Sequence, residues 1–135
     1  MIGADANILL RLLLNDDPMQ VGQVRDRLQR AVAEREDVWV GPIALAETVW
    51  TLAHGRKVPA PEISAAIRAL SNTRPFRMFD ESVVERALDL FEADRAGFSD
   101  CIIRVMDAAA GCGTTLTFDR RALALPGFLH PAAEG

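Results

Sequence analysis

Four carboxylates, Asp5, Glu47, Asp100 and Asp119, stand at positions from which side chains can converge. Asp5 closes the short run Met1-Ile-Gly-Ala, and Asp119 closes the run Thr114 to Phe118, so both fall at predicted strand ends. Either one alone serves equally well as a cap for the helix that follows. Two acids at equivalent strand ends are a stronger signal. Glu47 lies on a predicted helix, at the border of an arc formed by Ile43, Ala46, Val49, Trp50 and Ala53 at about 100° per residue. A Glu at such a border also has the option of reaching out to water. Asp100 falls in the first turn of another predicted helix, where an acid complements the helix dipole. Ser99 is the expected N-cap there, and Arg104, four residues on, is placed for a helical ion pair. Gathered in one crevice, such acids would raise one another's pKa values, and a bound divalent cation removes that conflict. Carboxylates with waters suit Mg²⁺ or Mn²⁺, whereas the chain offers no Cys/His set for zinc. A metal so held can orient water and stabilise a phosphoryl transition state without a protein nucleophile.

The elements that must position these acids alternate. Strands are predicted at 1–5, 38–40, 75–79, 114–118 and 128–129. Helices are predicted at 8–14, 18–35, 43–54, 61–70, after Asp80, and at 98–111, with a last helical turn before Pro126. Val83, Val84, Ala87, Leu88 and Phe91 form an apolar stripe on the helix after Asp80, and Asp17 with Pro18 opens the second helix. Alternating strands and helices are the signature of an α/β domain with a mostly parallel sheet. Such sheets carry ligands beyond the carboxyl ends of their strands. The 135 residues are expected to form one domain, 1–135, with a core over about 2–129 and a tail at 130–135.

Half the residues are hydrophobic and a quarter charged, which excludes disorder as the main state. A net charge of −4 argues against nonspecific coating of nucleic acid by charge alone. No run reaches the ~18 uncharged apolar residues of a membrane span. The longest run near the start, Ile8 to Leu14, is broken by Arg11 and lacks a basic leader, so a cytoplasmic location is expected. Cys101 and Cys112, with no CxxC pair, read as reduced core thiols. Trp39 and Trp50 have the rings to stack bases, but flanking Val residues and the apolar arc assign them to core or a subunit interface. His54 and His130 have the chemistry of a metal-free acid–base pair, yet neither follows a strand end.

Asp5-Ala-Asn7-Ile-Leu-Leu, Glu47, Phe98-Ser-Asp100-Cys-Ile-Ile and Leu116-Thr-Phe-Asp119-Arg-Arg resemble the motifs of PIN-domain ribonucleases. Within that family the likeness is to VapC toxins of bacterial toxin–antitoxin pairs. The turn Asn15-Asp-Asp-Pro18 and the ending Ala124-Leu-Pro-Gly127 look VapC-like too. The likeness covers about residues 2 to 129. The family's acidic set maps onto Asp5, Glu47, Asp100 and Asp119, its strand-end hydroxyl onto Thr117 and its first-motif amide onto Asn7. Ser99 departs from the small apolar residue usual in the family, and the metal ligands are left in place.

The resemblance implies a three-layer α/β/α domain with a five-stranded, mostly parallel sheet. It implies Mg²⁺- or Mn²⁺-dependent endonucleolytic cleavage of RNA, homodimerisation and neutralisation by a cognate VapB-type antitoxin. On this reading Asp5 and Asp100 hold the first metal, and Asp119 and Glu47 complete the site directly or through water. Asn7 orients Asp5, and Thr117 holds Asp119 or a metal-bound water. Arg11, Arg104 and Arg120 are the candidates for phosphate contacts.

Three rivals are weighed on residues. A phosphatase of the haloacid dehalogenase type would need an acid where Asn7 stands and a downstream Lys. A phosphate-accepting receiver domain would need adjacent acids after the first strand and a Lys near the end, whereas Asp5 is alone and Lys57 is the sole lysine. A PIN-like binding module that has lost catalysis is opposed by the intact acidic set. Leu9, Leu10, Leu12, Leu13 and Leu14 exceed one helical stripe. They serve either burial against sheet and neighbouring helix or contact with a partner.

Overall fold

The computed structural model describes residues 1–93 and 96–133 and divides the chain into two units, Met1–Glu81 and Ser82–Gly135. In the first unit, β1 (Ile2–Gly3), β2 (Val38–Val40) and β3 (Phe76–Met78) form a parallel sheet in that order. Ile2 pairs with Val38, and Val38 with Phe76. Parallel neighbours require crossovers. These are supplied by α1 (Ala6–Leu14) with α2 (Pro18–Ala33), and by α3 (Pro42–Trp50) with α4 (Ala60–Ser71). Asn15 ends α1 in the left-handed conformation (φ 51°), which Asn tolerates better than most residues. Asp17 caps α2 by accepting the Gln20 N–H at 3.1 Å, with Pro18 next, as its sequence predicts. Leu9, Val38, Val40, Leu45, Val49, Ile63 and Ile67 make the interior of this unit.

The second unit carries most of α5 (Glu81–Glu92), then α6 (Phe98–Ala109), β4 (Thr115–Leu116), a 3₁₀ turn (Ala122–Ala124) and β5 (Phe128–Leu129). β4 and β5 are parallel, Thr115 opposite Phe128 and Leu116 opposite Leu129. The predicted stripe Val83, Val84, Ala87, Leu88 and Phe91 is the buried face of α5. Phe91 meets Phe98 edge-on, with ring centroids 5.6 Å apart.

The chain is therefore an α/β protein with parallel strands. The expected five-stranded sheet is corrected: among the described residues the five strands form sheets of three and two. β1, β4 and β5 are each only two residues long, well below the usual strand length.

The face of α3 is also rotated from the expected arc. Leu45, Thr48 and Val49 are buried, as is Leu52 in the π turn (Thr51–Gly55) that continues the helix. Ile43 (75 % exposed) and Trp50 (60 % exposed) face out. Thr48 sits inside because its hydroxyl donates to the Ala44 carbonyl at 2.8 Å, leaving no unmet polar group. Trp50 lies against His54 with ring centroids 5.3 Å apart, and Trp39 is also exposed, so neither indole is a core residue of its unit. Cys101 is buried as expected, but Cys112 is exposed on the loop after α6. No helix among the described residues is long and apolar enough to cross a membrane.

Candidate functional site

Each unit presents two of the four acids. In the first, Asp5 follows β1 and is the N-cap of α1, with extended backbone (φ −78°, ψ 163°). One carboxylate oxygen accepts the Ala6 N–H at 2.6 Å, and the Asp5 carbonyl takes the Ile8 N–H at 3.0 Å. The side chain is exposed, and its second oxygen accepts no bond among the described residues. Capping and an outward free oxygen are thus compatible in one residue. The Ala6 amide, not Asn7, holds the Asp5 carboxylate; Asn7 is exposed in the first turn of α1. Glu47 is exposed on the outer face of α3, at helical spacing from Ile43 and Trp50.

In the second unit, Asp100 stands in the first turn of α6, half-buried. Gly97 is the N-cap, not Ser99, and no side chain closes it. Burial holds the Asp100 carboxyl above its usual range, and the Asp119 charge pushes the same way, against Arg121. Asp119 lies three residues past the end of β4, in a local network. Its N–H donates to the Thr117 hydroxyl at 3.0 Å, and its Oδ1 accepts the Arg121 N–H at 2.8 Å. Thr117 thus grips Asp119 through the backbone and leaves the carboxylate pointing elsewhere. The structure brings Asp100 and Asp119 into electrostatic contact, with Arg121 beside them. Cys101, next to Asp100, is a core thiol, pushed up to about 11 chiefly by burial.

The three arginines divide sharply. The Arg11 guanidinium bonds Asp16 at 2.6 Å, and Arg56 takes the other oxygen of that carboxylate at 2.8 Å. Hydrogen bonding from Arg11 holds the Asp16 carboxyl below its usual range. Arg104 does not ion-pair with Asp100. It is 7 % exposed and donates to the Thr115 hydroxyl, the Cys112 carbonyl (2.8 Å) and the Gly127 carbonyl (3.4 Å). Both guanidinium groups are therefore engaged by acceptors of the chain itself. Arg120 is exposed. The role of Arg104 escaped sequence reasoning, although one signal was present: it lies in the same stripe as Cys101, Ile102 and Val105, where a solvated Arg does not belong.

Among the described residues, no group of three or more His, Cys, Asp or Glu side chains is close enough to hold a metal ion. The chemistry of the Asp100–Asp119 pair still fits a hard cation: two oxygen donors, mutually repelling, one half-buried. Mg²⁺ characteristically binds through one or two carboxylates and completes its shell with water and substrate phosphate.

The chain is thus a parallel α/β protein with acids following two of its strands. The PIN domain family model matches residues 3–127. The chain belongs to the PIN-domain family, whose members are generally nucleases acting on phosphodiester bonds. No curated protein matches it.

Proposed function

We propose that the protein is a divalent-metal-dependent endoribonuclease, the toxin of a VapBC-type toxin–antitoxin pair, acting in the cytoplasm. The observation that carries this reading is the half-buried Asp100 coupled to Asp119 in a chain of the PIN-domain family. Asp5 and Glu47 complete the acidic set, and the two units act as one domain over 1–135. The unbroken family match across the boundary between the units supports this.

Asp100 and Asp119 would hold Mg²⁺ or Mn²⁺, with Asp5 and Glu47 joining directly or through water. Bound there, the ion would supply charge neutralisation and an acidified water for in-line attack on the scissile phosphorus. The chain's own contribution is placement. The Ala6 N–H fixes one oxygen of Asp5 and leaves the other free. Thr117 fixes the backbone of Asp119. Arg120 remains as the phosphate contact.

Two features support the proposed partners. An open cavity of about 580 Å³ in the first unit is floored by Leu12, Leu13, Leu28 and Leu70, with Arg25 and Arg74 among its lining residues. Its apolar floor and basic groups suit an apolar antitoxin segment with acidic flanks. Ile43 and Trp50 offer exposed apolar area to a second copy. The rival is a PIN-like module that has lost catalysis, which the set Asp5, Glu47, Asp100 and Asp119 opposes.

The test is cleavage of mixed cellular RNA by the purified chain, freed of partner, with Mg²⁺ or Mn²⁺, with EDTA, and as Asp5→Asn. Metal-dependent cutting that the variant loses upholds the reading. No cutting and no metal binding transfers it to the inactive module. Full activity in Asp5→Asn removes Asp5 from the set, and unchanged activity in Glu47→Gln makes Glu47 structural.

A further inference from the structure

Arg104 is a buried cation that the proposed chemistry does not use. A buried guanidinium is tolerated only when its donors are met. Here they meet three separate pieces of chain: Thr115 on β4, Cys112 in the loop after α6, and Gly127 just before β5. The Thr115 hydroxyl in turn donates to Asp107 Oδ2 at 2.8 Å, so a carboxylate one turn along α6 balances the charge at one remove. β4 and β5 share only two register pairs, and a two-stranded pairing that short is marginal by itself. The guanidinium therefore fastens both strands to α6.

Those strands lead directly to the acids. β4 runs on to Thr117, whose N–H donates to the Leu129 carbonyl at 3.0 Å and whose hydroxyl accepts the Asp119 N–H. Asp100 lies one turn before Arg104 on the same helix. Gly127 is part of the arrangement. It has φ +94°, and a Cβ there would lie 2.7 Å from Arg104 Nε, so glycine makes room for the side chain.

We propose that Arg104 is a positioning residue: it fixes the segment bearing Asp119 against the helix bearing Asp100, and so sets the separation of the two carboxylates. This rests on the reading of Asp100 and Asp119 as metal ligands. Arg104 acts through Thr115 and does not touch substrate.

Thr115→Val removes the hydroxyl while keeping a β-branched strand residue, and Thr115→Ser restores it. Both are made in the full chain and compared by Mn²⁺ titration calorimetry and by amide hydrogen exchange over residues 115–121. Thr115→Val is expected to weaken Mn²⁺ binding about 10-fold or more, the usual effect of losing a group that orients a ligand. Exchange over 115–121 should also quicken, and Thr115→Ser should match the wild type in both. Thr115→Val with wild-type exchange overturns the proposal, and so does faster exchange with unchanged Mn²⁺ affinity. If the wild type binds no Mn²⁺, the ligand reading has failed. Exchange then still decides the link: unchanged exchange overturns it, and a Val-specific increase that Ser reverses upholds it.

Discussion

The two units hold their acids in opposite ways. Asp5 and Glu47 are exposed, and Asp5 is fixed by the amide of the helix it caps. Asp100 is half-buried and feels the charge of Asp119, and the elements that bear them are fastened by a buried arginine. Capping is a local device, set by residues adjacent in sequence. The second arrangement is tertiary, built from groups up to 23 residues apart. The comparison teaches where metal affinity should reside. The half-buried Asp100, facing the charge of an exposed Asp119, gains most from a cation, whereas a solvated carboxylate with no such neighbour gains little because water already stabilises its charge.

The comparison breaks if acids of the first unit govern metal binding. Asp100→Asn and Asp119→Asn should each lower RNA cleavage by about 100-fold or more, about 2.7 kcal/mol or more of lost transition-state stabilisation. Single-turnover assays would show this, and Glu47→Gln should fall less. Next in size is Gly127→Ala. The positive φ and the approach of Arg104 together should destabilise the chain by about 1–3 kcal/mol, read from urea unfolding.

A smaller effect sharpens the contrast from the side of the first unit. The Asp16 carboxyl is depressed below its ordinary 3.8 chiefly by the Arg11 hydrogen bond. A depressed folded-state pKa contributes stability that is present above the unfolded value and lost as pH falls through the folded one. Asp16→Asn should therefore melt lower than wild type at neutral pH. The gap should close at low pH and shrink with salt, because the pair is at the surface. The smallest effect concerns Ser64, whose buried hydroxyl has no hydrogen-bond partner among the described residues. Ser64→Ala should match or slightly exceed wild-type stability in thermal melts, because it removes an unmet polar group.

Much of the architecture was legible in sequence because it rests on short-range signals. Asp17-Pro18 opening α2, the 83–91 stripe of α5 and the Val38–Val40 strand depend on neighbours within a few positions. The face of α3 differs from the expected arc because the Thr48 hydroxyl donates to the Ala44 carbonyl within the helix, and no periodicity rule anticipates a satisfied polar residue in the core. Ile43 and Trp50, placed on the apolar arc, are exposed, which for Trp50 leaves the subunit interface of its two expected uses. The acids themselves were legible as types at strand ends and helix starts. Arg104 was not, because three acceptors brought together by the fold, and not its helical spacing, decide its role. β1, β4 and β5 are each two residues long, shorter than the apolar runs from which strands are read.

The central claim is that Asp100 and Asp119 form the metal-binding heart of a nuclease. Calorimetric titration of Mn²⁺ into the wild type and into Asp100→Asn tests it most directly. The account predicts saturable binding in the wild type that the variant loses. Equal binding in both proteins would contradict it.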